Sequence, residues 1–264
     1  MPDEMFSAGA GEEALAFSSV ESKNPATRSA CLLEHLRQTL LDGVYPLGTR
    51  MNEVHLSRQL NVSRTPVRAA LQTLAGEGLL HYTPNRGFTV REFPLSEIVE
   101  AYEMRALAEG LAARLVAERG LTEDTQIIIQ EALKDGDRAL AGGADVETRR
   151  AAYAQVNKIF HSTIIQAANS DLVGDVVRLC QRMPQASAHN VIAFDLADVR
   201  ERHGAHHCIY AAISNREPRA AEALMREHIL SVEFSMIRRI VSAAADSPSQ
   251  RILVGTTPGP RIKR

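Results

Sequence analysis

The sequence predicts a mainly α-helical protein with an N-terminal winged helix-turn-helix, a small β-hairpin wing, and a C-terminal antiparallel bundle of six or seven helices. Two short amphipathic segments between Asn52 and Leu74, joined by a tight turn, have the helix-turn-helix plan. Two short strand-like runs around a Pro-Asn-Arg turn follow them, as in a hairpin. From Leu95 to about Val241, apolar residues recur at helical spacing between capping residues.

Composition and charge indicate where a nucleic-acid partner would bind. The chain has 264 residues, of which 45% are hydrophobic and 23% charged, so one large or two modest domains are expected. The formal net charge is −2, but residues 26–93 hold eight Arg against five acidic residues. Residues 1–25 hold five acidic residues and one Lys. The basic excess therefore lies in the segment that contains the predicted helix-turn-helix.

The cysteines and the hydropathy pattern predict a cytoplasmic protein with no membrane partner. Cys31, Cys180 and Cys208 are far apart and odd in number, so they form neither a CxxC pair nor a disulfide framework. No apolar run reaches the ~18 residues that a membrane span needs. The N-terminus lacks a basic-then-apolar signal pattern.

The chain divides into four predicted regions. The first is acidic and rich in Gly, Ala and Ser, which predicts disorder. The last is rich in Pro, Gly and Ser and is expected to be flexible. The regions are a disordered segment (1–25), a winged helix-turn-helix domain (26–93), an all-helical effector-binding and dimerisation domain (94–242) and a tail (243–264).

The second helix of the helix-turn-helix has the features of a DNA-reading helix. Ser63 is a good N-cap, because its hydroxyl can accept a bond from an amide at the helix start. Val67, Leu71 and Leu74 recur at helical spacing and predict one buried stripe. Pro66 falls in the first turn, where its missing N–H costs little.

Hydrogen-bond donors collect at the start of this helix, on its polar side. They are Ser63, Arg64, Thr65 and Arg68, and first turns of this kind meet base edges and phosphates. Taken alone, the same stretch is also compatible with an ordinary surface helix carrying two solvated arginines. At the hairpin tip, Arg86 and Gly87 suit a narrow groove, where the negative potential is strongest. A plain exposed hairpin is the alternative there.

Polar residues in the predicted bundle suggest a second site. Asn157 and His161 lie four apart and share a helix face, while His206 and His228 lie on later helices. Imidazoles that converge in a bundle core can bind Zn, Ni, Mn or another divalent ion. Scattered histidines that are merely satisfied polar residues are the alternative. His203 and His207 form an i, i+4 pair of their own.

Specific motifs in both halves make the chain resemble the GntR family of bacterial transcription regulators. More narrowly it resembles the FadR subfamily, whose helical domain is called FCD. The resemblance spans roughly residues 28–242. In the first half it is carried by GVYPLG from Gly43, VSRTPVRAAL from Val62, GLL from Gly78 and PNRG from Pro84. In the second half it is carried by MRALAE from Met104, Phe160-His161, Ala168-Asn169 and the segment from His206 to His228.

This resemblance implies a homodimer, associated with the bacterial nucleoid, that binds a short inverted repeat in double-stranded DNA. Two recognition helices would enter successive major grooves, and the wings would reach the minor groove. The implied DNA-binding residues are Ser63, Arg64, Thr65, Arg68, Arg86 and Gly87. One position departs from the fatty-acid-type members, since Val54 stands where they place a further DNA-reading Arg.

The resemblance also implies an input site in the bundle. Many FCD domains bind a divalent metal through an Asp or Asn and three His, matching Asn157, His161, His206 and His228. His206 is preferred over His207 because it keeps the spacing to the apolar residues that follow. An Arg at the place of Arg105 commonly meets an effector carboxylate, so a small organic acid is expected between it and the metal, with His189 a weaker candidate.

Two other functions remain to be compared with a ligand-responsive regulator. One is a DNA-binding protein whose bundle serves only dimerisation. The other is a metal-dependent hydrolase that uses the histidines. The sequence has no HExxH, no Gly-rich phosphate loop and no Gly-x-Ser-x-Gly, so it lacks the usual signatures of such chemistry. We therefore expect no enzyme activity.

Overall fold

A computed structural model describes residues 25–183 and 195–246, and the chain forms two compact units with a boundary between Glu92 and Phe93. Residues 1–24 of the predicted disordered segment, which was expected to include Pro25, and residues 247–264 of the predicted tail lie outside the described residues. His189 also lies outside them. Each unit has its own hydrophobic core.

The first unit combines three helices with a three-stranded antiparallel sheet in the order β1-β3-β2. The sequence predicted the β2–β3 hairpin, but not the third strand. β1 is only two residues long, and it pairs with β3 through Arg50 opposite Thr89 and Met51 opposite Phe88. The elements are α1 (Pro25–Leu41), β1 (Arg50–Met51), α2 (Glu53–Gln59), α3 (Arg64–Gly76), β2 (Leu80–Thr83) and β3 (Gly87–Val90).

The core of this unit packs against the apolar side of α3. Val67, Leu71 and Leu74 are fully buried, as their helical spacing predicts. They pack with Leu36 of α1 and Phe88 of the sheet in one cluster. The opposite side of α3 is left exposed.

The second unit is a bundle of helices, six within the described residues. α4 is central and packs against α9, α7, α6 and α8, while α5 packs against α6 and α8. α4 and α9 approach closely at Gly110, where a side-chain Cβ would lie 2.5 Å from Cγ of Arg226. The helices are α4 (Leu95–Arg119), α5 (Glu123–Ala141), α6 (Val146–Ala167), α7 (Asp171–Cys180), α8 (Leu196–Ser214) and α9 (Pro218–Asp246).

Three helix ends differ from the sequence-based expectation. The sequence predicts that Ser96 opens α4, but the helix begins one residue earlier, at Leu95 after Pro94. The sequence predicts Asp198 as the cap of α8, but Asp195 caps the helix, because its carboxylate accepts hydrogen bonds from two amides of the first turn at 2.8 Å. α9 continues to Asp246, so it includes the start of the predicted tail. Within the described residues, no helix is both long and apolar enough to span a bilayer.

Candidate nucleic-acid interface and histidine centre

The start of α3 presents polar side chains to solvent. Ser63 occupies the N-cap position with extended backbone angles, φ −68° and ψ 160°, as expected. Its hydroxyl makes no capping hydrogen bond, so that part of the prediction was wrong. The hydroxyl of Ser63 is therefore not used by the helix. Thr65 is also exposed.

Two arginines lie side by side on this exposed face, above an acidic residue of α2. The side chains of Arg64 and Arg68 are 65% and 56% exposed. Their guanidinium nitrogens lie 3.9 and 4.0 Å from the carboxylate of Glu53. Pairs this long and exposed are weak. The two guanidinium groups can therefore exchange Glu53 for another acceptor.

The turn before α3 and the wing both depend on left-handed backbone at asparagine or glycine. Asn52 caps α2 by accepting hydrogen bonds from the amides of Val54 and His55. Asn61 has φ 51° between α2 and α3. In the wing, Asn85 and Gly87 have φ 63° and 84°. These conformations are the ones that Asn and Gly tolerate best.

The wing tip holds Arg86 in the open. Its backbone amide donates to the carbonyl of Thr83 at 3.0 Å, which closes the turn between β2 and β3. The Arg86 side chain is exposed, and Gly87 begins β3 directly after it.

Three buried histidines from three helices converge inside the bundle. They are His161 on α6, His206 on α8 and His228 on α9. Nε2 of His228 lies 3.1 Å from Nε2 of His206 and 3.3 Å from Nε2 of His161. The group satisfies the geometry of a site that can hold a metal ion. We call it the histidine centre.

A buried charge pair supports the histidine centre from α4. Nε of Arg105 donates to Glu109 Oε1 at 2.5 Å, and Nδ1 of His161 lies 2.5 Å from Glu109 Oε2. Burial alone raises the pKa of Glu109, but the charges of Arg105 and His161 and their hydrogen bonds outweigh it and lower the pKa to about 2. When the ring nitrogen of a ligand histidine that does not bind the metal is hydrogen-bonded to a carboxylate, the carboxylate orients the ring and increases its basicity.

Sequence reasoning did not single out Glu109. Its signal was its position four residues after Arg105, on the same helix face. Arg105 was expected to face an effector carboxylate. In the structure it is 3% exposed, and its guanidinium donates a hydrogen bond to the carboxylate of Glu109.

The histidine centre fits a divalent transition metal chemically. Burial, and then the neighbouring imidazoles, hold the pKa of His206 and His228 well below the ordinary value. Neutral imidazoles offer lone pairs to a metal. Nδ1 of His228 is buried without a hydrogen-bond partner among the described residues, and the Tyr153 hydroxyl lies 3.4 Å from Nδ1 of His206.

Two further residues of the sequence prediction are Asn157, the fourth predicted ligand, and His207, the alternative to His206. Asn157 is buried one turn before His161 on α6. His207, the alternative to His206, lies 44% exposed beside Asp137 and outside the histidine centre.

The first unit has an exposed, arginine-bearing recognition helix with a wing, and the second is a helical bundle with a buried polar centre. Together these features define the class of winged-helix transcription regulators. Residues 29–90 match the family described as "Bacterial regulatory proteins, gntR family", and residues 100–231 match the FCD domain. The chain belongs to the GntR family of transcription regulators, with an FCD domain as its second part.

Two curated relatives are similar to this chain over most of their own length. The chain is 30% identical over 192 residues to the probable D-xylose utilization operon transcriptional repressor of Paenarthrobacter nicotinovorans, covering 72% of this chain and 80% of that one. It is 28% identical to the Nta operon transcriptional regulator of Aminobacter aminovorans, covering 75% and 88%.

A solved structure shares the fold. E. coli McbR/YncC superimposes with a TM-score of 0.64 at 24% identity, covering 80% of this chain and 97% of that chain. The families and relatives that match are transcription regulators, not enzymes, which confirms the expectation of no enzyme activity and removes the hydrolase alternative.

Proposed function

We propose that this regulator is a cytoplasmic, nucleoid-associated homodimer that binds a short inverted-repeat operator and responds to a small organic acid held at a metal centre. The observation that carries the proposal is the convergence of three buried imidazoles beside the Arg105–Glu109 pair. A bundle that served only dimerisation would have no need to bury these groups.

The DNA-binding residues are Ser63, Arg64, Thr65 and Arg68 on α3, with Arg86 and Gly87 at the wing. Arginine pairs with guanine in a bidentate manner, at about 1–3 kcal/mol of discrimination for each good pair. Glu53 favours specific over non-specific binding, because it repels phosphates and competes for both α3 arginines until a base replaces it.

The metal ligands in this proposal are His161, His206 and His228, with Asn157 as the oxygen ligand. Nitrogen ligands and a neutral amide suit Zn²⁺, Ni²⁺ or Mn²⁺. A bound ion would supply positive charge and open coordination positions for a carboxylate. Glu109 holds the His161 ring in the orientation that directs Nε2 to the centre.

The effector carboxylate would use Arg105 as its second anchor. A guanidinium binds a carboxylate as a fork, and Arg105 already holds one carboxylate, that of Glu109. An incoming acid would therefore share or displace this pair. Because Glu109 also holds His161, acid binding and metal affinity would be coupled.

The proposed dimer surface lies on α4 and α9, whose exposed faces carry large apolar side chains. Arg114 of α4 pairs with Glu222 of α9, and Gly110, four residues earlier on α4, lies against Arg226, four residues later on α9, so the two helices run antiparallel. Met104 and Leu107 are therefore level with Leu230 and Phe234, and all four are exposed. Apolar patches of this kind are typical of protein–protein contacts.

An organic acid regulates the protein only if it binds one arrangement of the dimer better than another. The test begins with selection of a bound DNA sequence from a random pool. A mobility-shift assay at fixed salt then measures affinity with and without Zn²⁺, Ni²⁺ or Mn²⁺ and a panel of organic acids. Elemental analysis and thermal shifts are measured in parallel.

A metal that stabilises the protein, together with an acid that changes operator affinity, is the expected result. Absence of bound metal and of any stabilising acid would favour the alternative of a DNA-binding protein whose bundle only dimerises.

A further inference from the structure

A second group of metal-ligand side chains lies at the surface of the bundle, apart from the histidine centre. It consists of Asp137 on α5 with His203 and His207 on α8. Nε2 of His203 lies 3.0 Å from Asp137 Oδ1, and Nε2 of His207 lies 3.1 Å from the same oxygen. We infer that these three residues form a second divalent transition-metal site, which we call the surface site.

The spacing of the ligand atoms is close to that of a bound ion. Ligands at ~2.0–2.1 Å from a tetrahedral Zn²⁺ lie roughly 3.3 Å from one another. The three ligand atoms here lie within 4.8 Å of one another, and the two nitrogen–oxygen separations are close to that value. Small side-chain rotations are enough to open space for an ion.

The helix geometry brings the three ligands together. His203 and His207 are four residues apart on α8 and so project from one face, toward α5. α5 supplies Asp137 and, next to it, Gly136. A Cβ at Gly136 would lie 2.2 Å from Cε1 of His203, so the ring lies directly on the helix backbone. Gly136 therefore leaves the space that the His203 ring occupies.

The ligand set selects the class of ion. Two imidazole nitrogens and one carboxylate oxygen suit Zn²⁺, Ni²⁺, Co²⁺ or Cu²⁺ rather than Ca²⁺ or Mg²⁺, which prefer oxygen. His203 is 5% exposed, whereas His207 and Asp137 are 44% and 57% exposed. An ion can thus enter from solvent and keep open positions for water. It would cross-link α5 and α8.

A Zn²⁺ titration of the metal-free, full-length protein against a competing chromophoric chelator tests the inference. We expect His207→Gln and Asp137→Asn to bind one ion fewer per chain than the unmodified protein, or to bind it about tenfold or more weakly. His81→Gln, which removes an exposed histidine of β2, is the matched control and should bind as the unmodified protein does.

A second pair of variants changes no ligand. Gly136→Ala builds a methyl group where the His203 ring lies, so it should weaken the surface site as His207→Gln does. Gly204→Ala adds the same methyl group to α8, where no atom of the described residues lies within 4 Å, and should leave binding unchanged. Because the His207 side chain is partly exposed, His207→Gln carries the test even where Gly136→Ala reduces stability.

The two metal proposals fail in different ways. If the histidine centre binds no metal, the unmodified protein binds one ion and His207→Gln binds none, and the surface site stands. If the unmodified protein and His207→Gln bind the same number of ions with the same affinity, the surface site is overturned, and Asp137 only accepts hydrogen bonds from two imidazoles.

Discussion

At the residue scale, the two arginines at the start of α3 are exposed side chains that the fold does not need. We predict that Arg64→Ala weakens specific operator binding by about 1–3 kcal/mol, because one bidentate base contact is lost. The midpoint of thermal unfolding should stay unchanged, since the side chain is 65% exposed and its Glu53 contact is 3.9 Å long. Mobility shifts on selected and scrambled duplexes at one salt concentration measure the effect.

Arg138→Ala is the control for this change, because it removes an exposed arginine that pairs with Asp135 in the bundle. It should leave operator affinity as it is. Equal affinity of Arg64→Ala and the unmodified protein would remove Arg64 from the DNA-contact set.

Glu109 is the second residue whose role is specific enough to test. Glu109→Gln leaves the buried guanidinium of Arg105 without its carboxylate, and breaking a buried pair costs roughly 3–5 kcal/mol. Urea unfolding in the presence of a chelator measures this loss apart from any metal effect. Glu131→Gln breaks an exposed pair with Lys134 on α5 and should cost under about 1 kcal/mol. Similar costs for the two variants would contradict a buried, charged role for Glu109.

At the element scale, the two helices of the helix-turn-helix begin in different ways. The Asn52 side chain accepts hydrogen bonds from two backbone amides of α2, at 2.9 and 3.1 Å. Asn52→Ala should therefore lower the free energy of unfolding by about 1 kcal/mol. Ser63 makes no such bond, so Ser63→Ala should lower it less while weakening DNA binding. Chemical denaturation and mobility shifts on both variants separate these effects. A greater loss of stability in Ser63→Ala would contradict the capping geometry.

At the scale of the whole molecule, metal binding should stabilise the bundle. Zn²⁺ at about 100 times its Kd adds about 2.7 kcal/mol to a protein that binds it only when folded. This corresponds to a rise of roughly 5–10 °C in Tm. His206→Gln removes a fully buried ligand and should lose the part of the rise that the histidine centre supplies, whereas His81→Gln should keep the whole rise. An equal Zn²⁺-dependent rise in both variants would exclude His206 as a ligand.

Assembly is the other property of the whole molecule that the structure makes testable. Phe234 is 68% exposed on α9, and Phe234→Glu should raise the dimer dissociation constant about tenfold or more, because it places a charge in an apolar contact. Leu172→Glu on α7 makes the same kind of change at a side chain that is 73% exposed and serves as control. Sedimentation analysis measures both. A dimer unchanged by Phe234→Glu would move the interface away from this face.

The sequence by itself determined the helices and the β2–β3 hairpin, and the order in which they follow one another along the chain. Local rules were enough for this, because a cap such as Asn52, and apolar residues at helical spacing, act over a few residues. They also located the polar face of α3, since Val67, Leu71 and Leu74 can be buried only on the opposite side. The spacing of the histidines left their role open, and the family resemblance predicted which of them would be metal ligands.

Only the tertiary structure decided what meets across helices. β1 is two residues long and forms through pairing with β3, so no local pattern marks it. The role of Glu109 depends on a residue of another helix, because α6 brings His161 against its carboxylate. His206 and His207 are neighbours in sequence but lie in different clusters, because successive helical residues point about 100° apart. Which of them faces α9 and which faces α5 depends on how α8 packs, and that information lies in the contacts between helices.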